Sequence, residues 1–434
     1  MPAADAVNRD NVYPDSYYAA SVEMPAQRDQ LQGHQEAEVC IVGAGFSGLS
    51  AGLFLQEQGC RVVVLEAQRV GWGASGRNGG QLINGFNGGI DFLQDYFSGC
   101  STSIADLHMA GGDYLRQILE RYSIDCDYRP GHVTVAYSRK HMQGLAEEAR
   151  LCREHNIPGY QLLDADALQA CVGSKLYAGG LLDSLGGHLH PLKLALGEAQ
   201  ALEQLGGQIF EHSPVVSIDK KGEKQQISTA SGQVIAGQVI LCGNAYLGQL
   251  SKPLAARVMP AATQVMATES LPEELAREIL PADMCIADCR YILDYYRLSA
   301  DRRLLFGGGT VYGGVAPADI IGKLRPNMLN VFPQLADVKI DYAWSGNIAI
   351  TNNRHAQLGR LDDNLYFAHG YCGHGVNVTH LFGKLLADAI GGETALFDLF
   401  AGVPWSGFPG GQRFRVPYSV AGSWWYGLRD RLGM

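Results

Sequence analysis

The sequence is short of charge. Only 18% of its 434 residues are Asp, Glu, Lys or Arg, against about 25% in ordinary globular chains. It has no Lys/Arg run, and 34 basic against 44 acidic residues leave a net charge of −10. A polyanionic partner such as nucleic acid is therefore not expected. The 10 cysteines form no CxxC pair, and Cys285 with Cys289 has no second half to complete a metal site. Cys40, Cys60 and Cys242 lie in or beside apolar runs and read as small core residues. This usage points to a reducing compartment, taken as cytoplasmic, and to no structural metal. Long hydrophobic runs are missing too. Met1 to Gln30 has no apolar core for a signal peptide. The uncharged apolar stretch Val39 to Leu55 falls just short of a membrane span and holds three glycines at motif spacing. No transmembrane segment is expected.

Glycine, by contrast, is abundant at 54 residues, roughly two dozen above average usage. The glycines follow no collagen period and form no Gly/Ser linker. They cluster between apolar runs, as in an enzyme with many close backbone approaches. A hydrophobic fraction of 47% supports a packed core and excludes disorder as the main state.

After a polar extension, Glu38-Val-Cys-Ile-Val-Gly43 reads as a strand. A helix follows to Gln58, with Gly59 as its left-handed cap. Arg61-Val-Val-Val-Leu-Glu66 is nearly continuously apolar, as a parallel strand buried on both faces should be. This is the βαβ start of a doubly wound sheet. Helical stretches at 101–121 and 139–155 flank a strand-like pair between Ile124 and Tyr137. Pro191 fits the first position of another helix and Gly206 its cap, with strands near 208–211 and 234–243 after it. Two alternating runs between Cys289 and Gly308, joined by Ser299-Ala-Asp-Arg302, predict a hairpin. A last strand at Asn364 to Gly370 leads into a helix over Val376 to Ile390.

The expected fold class is α/β, with an α+β substrate part. A Rossmann-like, doubly wound dinucleotide domain is built from segments 36–90, 184–246 and 346–390. An antiparallel-sheet substrate domain is inserted at 91–183 and 247–345, between an N-terminal extension (1–35) and a C-terminal tail (391–434).

Gly43-Ala44-Gly45-Phe46-Ser47-Gly48 carries the first chemistry. Gly43 permits the turn out of the strand, Gly45 lets backbone approach a pyrophosphate, and Gly48 lets helix and sheet pack closely. Glu66, 23 positions after Gly43, is placed to accept ribose hydrogen bonds. A second loop, Gly71 to Gln81, is dense in glycine where a bare NAD domain would begin another βα unit. Ser75 and Asn78 can donate to phosphate there, and Arg77 can add charge. A third loop, His369-Gly370-Tyr-Cys-Gly373-His374-Gly375, opens the helix at Val376. Its dipole suits a flavin edge that becomes negative on reduction. His374 either contacts the ring or is a structural loop residue.

The chain resembles the D-amino-acid oxidase/glycine oxidase superfamily of FAD enzymes over residues 36–390, and more closely the gamma-glutamylputrescine oxidoreductase family. The likeness is carried by Ser16-Tyr-Tyr-Ala-Ala-Ser21, Gly73-Ala-Ser-Gly-Arg-Asn-Gly-Gly-Gln-Leu82, Asp125-Cys-Asp-Tyr-Arg-Pro130 and Gly186-Gly-His-Leu-His-Pro191. Gly243-Asn-Ala-Tyr-Leu247, Leu293-Asp-Tyr-Tyr-Arg-Leu298, Gly370-Tyr-Cys-Gly-His-Gly375 and Arg429-Asp-Arg-Leu-Gly433 extend it. The resemblance implies non-covalent FAD, with Glu66 and Ala67 at the adenosine ribose and Ala74 and Ser75 at the pyrophosphate. It implies Gly79, Gly80 and Gln81 near the flavin ring, Val215 meeting adenine through its backbone, and Gly243 closing the strand under the cofactor. Gly73, Gly373, Gly375 and Val376 belong to the same site. The superfamily's Thr-x-Asp-x-x-Pro segment departs here to Thr351-Asn-Asn353-Arg-His-Ala356, which weakens roles drawn from it.

Period-two alternation puts Tyr291, Leu293, Tyr295 and Arg297 on one face of the hairpin strand, and Asp294 and Tyr296 on the other. Arg297 flanked by Tyr295 and Tyr296 suits a substrate carboxylate, with a solvated sheet surface as the other reading. Asp294 attracts a substrate ammonium or forms a salt bridge. The resulting expectation is an FAD-dependent amine oxidoreductase whose partners are a small-molecule amine and oxygen or another electron acceptor. By resemblance the amine is gamma-glutamylputrescine or a related gamma-glutamylated polyamine. The rivals are oxidation of glycine, sarcosine or a D-amino acid, an NAD-binding dehydrogenase, and a non-catalytic flavin-binding protein. Trp424-Trp425-Tyr426 leaves open membrane-surface contact or packing against a neighbouring domain or subunit.

Overall fold

The computed structural model describes residues 13–432, the side chains of 426–432 excepted. Strand β1 (Gly33–Val42) and helix α1 (Phe46–Glu57) lead into β2 (Val62–Leu65), and β3 (Gln81–Leu82) follows the second glycine loop. The next elements are α2 (Ile104–Arg121), β4 (Arg129–Ala136), α3 (Arg139–Glu154), β5 (Tyr160–Asp164) and β6 (Gly179–His188). Helix α4 (Pro191–Gln204) is followed by β7 (Gln208–Phe210), β8 (Ser217–Lys221), β9 (Lys224–Ser228) and β10 (Gly232–Leu241). Then come β11 (Val258–Thr268), β12 (Cys285–Asp288), β13 (Asp294–Leu298), β14 (Leu304–Tyr312) and β15 (Ile340–Thr351). Strands β16 (Gln357–Asp362) and β17 (Leu365–His369) precede α5 (Gly375–Ile390).

Two sheets result. The first has the order β16-β17-β10-β1-β2-β7, with β8 and β9 as a hairpin beside β10. Its inner neighbours β17, β10, β1, β2 and β7 run parallel, as the apolar strand at Val62–Leu65 requires of a chain covered on both faces. Helices α1, α4 and α5 pack on one face through Leu49, Leu53, Leu202, Leu381 and Leu386. The second sheet has the order β15-β11-β14-β13-β12-β4-β6-β3, with β5 paired to β6, and is antiparallel except for β12 beside β4. One of its faces carries Val133, Val135, Tyr296 and Phe306 into a separate core. Residues 81–82, 184–188 and 346–351, grouped by sequence with the dinucleotide segments, pair into this second sheet.

Three expectations change. The strand-like pair within 124–137 is a single strand, β4, because Asp127 adopts a left-handed φ of 54° and β4 finds its antiparallel partner in distant β6. The N-terminal extension is not simply polar. A short helix, Tyr17–Ala20, capped by Ser16, buries Tyr17 and Tyr18, and the Tyr17 hydroxyl donates to Asp301 Oδ1 at 2.6 Å. Cys60 is only half-buried, whereas Cys40 and Cys242 are core residues; all ten cysteines are free thiols. Among the described residues no helix is long and apolar enough to cross a membrane. Trp424 and Trp425 are exposed on the helix Gly411–Leu432, and the Tyr426 side chain lies outside the described set.

Candidate active site

The three glycine loops converge at the carboxyl ends of β1, β2, β10 and β17. Gly43 turns the chain with φ 108°, where an added Cβ would lie 3.0 Å from the Cys242 carbonyl oxygen. On Gly45 it would lie 2.8 Å from Ser75 Oγ, and on Gly48 it would collide with the Gly43 carbonyl. Each glycine of the motif is thus required by a different contact. The loops are also tied together. The Gly71 N–H donates to Ala44 O at 2.9 Å, and the Phe46 N–H donates to Ser75 Oγ at 2.9 Å. Ser47 and Tyr371 share a hydroxyl hydrogen bond of 2.7 Å, and the Gly370 N–H donates to Asn244 Oδ1 at 2.9 Å.

Gly43, Gly45, Glu66, Ala67, Gly73, Ala74, Ser75, Gly243, Gly373, His374 and Gly375 keep accessible surface, while the strands beneath them are buried. They outline a trough outside the carboxyl ends of parallel strands, beside the N–H groups that open α1. Glu66 borders it. Its Oε2 accepts the Ala44 N–H at 2.8 Å and its Oε1 the Gln68 N–H at 2.9 Å. Burial raises its pKa while these two bonds hold it down. Each oxygen retains a lone pair for a ribose hydroxyl. The Ser213 N–H donates to Glu66 O at 2.8 Å, which brings the turn carrying half-buried Val215 alongside. Backbone donors at a helix start, a carboxylate at a strand end and open glycine backbone are the donor set an FAD needs, so the residues fit that cofactor.

The second loop differs in detail from expectation. Asn78 Nδ2 donates to Ala74 O and Ser75 O, and its Oδ1 accepts the Gly80 N–H at 2.8 Å. Its amide shapes the loop rather than facing phosphate. Arg77 stacks 4.0 Å from the Trp72 ring centroid and donates to Trp72 O and Ser345 O, so its charge is directed at the second sheet. Gln81 donates to Ile286 O at 2.9 Å and joins β3 to β12.

The hairpin residues separate as alternation predicts, but with other roles. Tyr295 lies over the loop: a Cβ on Gly79 would sit 2.5 Å from its ring, and one on Gly307 would collide with it. The Gly307–Gly308 pair therefore makes room for Tyr295 and Asp294. Arg297 is 3% exposed. It donates to Gly79 O at 2.7 Å, Leu298 O at 3.0 Å and Tyr18 OH at 3.1 Å. The expected carboxylate contact is thus replaced by a brace under the Gly79–Gly80 loop, because β13 is flanked by strands on both sides and covered on both faces. Tyr296 faces the far core, stacked on Phe306 and hydrogen-bonded to Tyr177 at 2.9 Å, not the trough. Asp294 forms the salt bridge, to Arg290 at 2.7 Å. Tyr291 precedes the strand and receives a hydrogen bond from Arg354.

His374 is the residue before α5, next to Gly373, Gly375 and buried Val376. Burial lowers its pKa. Sequence reasoning missed Tyr18, which is fully buried against Trp344 and His190, though Ser16-Tyr-Tyr had stood out as a segment. It also missed Asn84, His108, His132 and Asp183, which gather beside His374 from separate elements.

The fold and trough define a dinucleotide-binding oxidoreductase with a second, substrate-side sheet. The chain belongs to the DAO family, described as FAD dependent oxidoreductase, which it matches over residues 38–389. FAD is its cofactor. It is similar to the gamma-glutamylputrescine oxidoreductase of Escherichia coli (strain K12), 48% identical and covering 96% of this chain and 99% of that protein. The probable oxidoreductase OrdL of Haemophilus influenzae is 41% identical over 96% of this chain and 97% of its own length. Among solved structures, glycine oxidase from Geobacillus kaustophilus superposes with a TM-score of 0.71 at 19% identity, covering 86% of this chain and 100% of that one. At that identity the likeness concerns the fold.

Proposed function

We propose that the enzyme oxidises the primary amine end of gamma-glutamylputrescine or a related gamma-glutamylated polyamine. The observation carrying this reading is the 48% identity to the E. coli protein across nearly the whole of both chains. When bound, FAD supplies the acceptor for the hydride equivalent leaving the carbon beside the amine, and its electrons then pass to oxygen or another acceptor. The substrate imine hydrolyses to an aldehyde and ammonia.

The first sheet holds the cofactor in this reading and the second receives the amine. The N–H groups opening α1 take the pyrophosphate, and Glu66 takes the ribose. The start of α5, with Gly375 and Val376, would offer its dipole to a bound flavin ring. Tyr295 and Arg297 hold the Gly79–Gly80 backbone, which would stand beside that ring. The amine reacts in its neutral form, so an ammonium that binds first gives up its proton before the hydride equivalent leaves.

A second reading, oxidation of glycine, sarcosine or a D-amino acid, follows from the fold likeness to glycine oxidase. It is disfavoured because the Arg297 guanidinium is taken by protein acceptors rather than offered to a small carboxylate. Steady-state turnover of a panel containing gamma-glutamylputrescine, putrescine, glycine, sarcosine and D-alanine decides between them. Turnover of the small amino acids alone would overturn the polyamine assignment.

A further inference from the structure

A cavity of ≈ 80 Å³ lies beside His374, lined by polar groups that none of the roles above uses. Asp183 of β6, Glu148 of α3, His132 of β4, His108 of α2 and Tyr160 of β5 face it together with His374, and no Lys or Arg lines it. Asp183 is held in place. Its Oδ1 accepts the Leu185 and Gly186 N–H groups, each at 3.0 Å, and its Oδ2 accepts Asn84 Nδ2 at 2.9 Å. Arg116, which lies outside the lining and pairs with Asp113 at 2.6 Å, acts on Asp183 by its charge without a hydrogen bond to it. Glu148 has no hydrogen bond or ion pair among the described residues.

Two further atoms point to a missing partner. His132 and His108 are 2% and 3% exposed, and His132 Nε2 and His108 Nδ1 are buried without any hydrogen bond. Buried polar atoms are normally paired, so such atoms around a cavity mark the place of a ligand. Burial also keeps both histidines neutral, lowering His132 to about 3 and His108 to about 4, and it raises both carboxyl groups. The cavity thus gathers two carboxyl and two neutral imidazole groups with no cation of its own, and an entering cation would offset the burial that raises the carboxyl groups. Among the described residues no group of three His, Cys, Asp or Glu is spaced to hold a metal ion. A hydrogen-bonding cation with several N–H donors suits these dispersed acceptors, and the volume admits an ammonium head with the first carbons of its chain.

We infer that this cavity is the ammonium subsite for the substrate: Glu148 supplies the charge, Asp183 the fixed acceptor and His132 Nε2 a further acceptor. The inference rests on the amine-oxidising reading and gives it a recognition element on the second sheet. His374, at the head of α5 and within the third glycine loop, lines the cavity.

The test uses the FAD-loaded enzyme and its Glu148→Gln variant, which removes charge from a residue that makes no structural hydrogen bond. Anaerobic calorimetry with n-butylamine, and with 1-butanol as the uncharged control, reads the subsite without turnover. Expected is binding of n-butylamine but not 1-butanol, weakened about tenfold or more in Glu148→Gln by loss of one charge-assisted contact. KM for gamma-glutamylputrescine should rise by a similar factor, with FAD content kept. Equal n-butylamine affinity in both proteins, or none in the wild type, overturns the subsite. If n-butylamine binds as expected and gamma-glutamylputrescine is not oxidised, the subsite stands and the substrate reading falls.

Discussion

Replacing Glu66 by alanine tests the cofactor trough where its geometry is most specific. The carboxylate accepts the Ala44 N–H at 2.8 Å and the Gln68 N–H at 2.9 Å, so it shapes the glycine turn and borders the ribose position at once. A hydrogen bond to a charged group contributes about 1.5–3 kcal/mol. Loss of one ribose bond should therefore weaken FAD binding by about tenfold to a hundredfold, at about 1.4 kcal/mol per tenfold. The cost to the fold is smaller, about 1 kcal/mol for each freed backbone donor, because Glu66 is only half-buried and water can replace it. Glu66→Gln separates the two effects. Its amide offers one acceptor oxygen, and its NH2 must then face one of the two backbone donors, so an intermediate loss is expected. Apoprotein titrated with FAD gives the affinity, and circular dichroism with a urea transition reports the fold. Wild-type FAD affinity in Glu66→Ala, with the variant folded, would refute the ribose role and the geometry on which it stands.

Three further outcomes follow from the packing. Arg297→Met removes three buried hydrogen bonds from a charged donor and should cost about 4.5 kcal/mol or more, at about 1.5 kcal/mol or more each, with lower FAD retention. Its KM effect should be equal for gamma-glutamylputrescine and putrescine; a loss confined to the carboxylate-bearing amine would restore the guanidinium as a substrate contact. His380→Ala breaks a pair with Glu198 in which both side chains are fully buried and 2.6 Å apart. Urea unfolding should show a loss of about 3–5 kcal/mol, since one buried partner is stranded; a loss below about 1 kcal/mol contradicts a buried pair. Removing FAD should lower stability by about 2.7 kcal/mol relative to holoenzyme measured at about 100 times the dissociation constant, and identical unfolding of apo and holo forms would show that FAD does not bind the folded trough.

What could be read from sequence was what sterics settle locally. Gly43 is demanded by the positive φ of the turn itself, and Gly45 and Gly48 by contacts within that βα turn or its neighbouring loop, so spacing alone was informative. The parallel strands around β1 were visible because a strand covered on both faces must be continuously apolar. The hairpin alternation separated Tyr295 from Tyr296, yet not which face met the trough. Both faces of β13 are covered, and a local period carries no sign of which cover is the cofactor side. Arg297 looked available because its acceptors, Gly79 O and Tyr18 OH, are 218 and 279 positions away. The cavity beside His374 was hidden for the same reason, since His132 and Asp183 become neighbours only through the register of β4 against β6. Asn353, a departure from the family segment, donates to Pro404 O, and its neighbour Asn352 donates to Ser406 Oγ; together they anchor the C-terminal segment, a role no spacing rule announces.

The most direct test of the central claim is anaerobic mixing of the FAD-loaded enzyme with gamma-glutamylputrescine while the visible flavin band is followed. The account predicts rapid, complete bleaching, with gamma-glutamylated aldehyde and ammonia formed in step, and much slower bleaching by glycine, sarcosine or D-alanine. A flavin band unchanged by gamma-glutamylputrescine and bleached by glycine would contradict it.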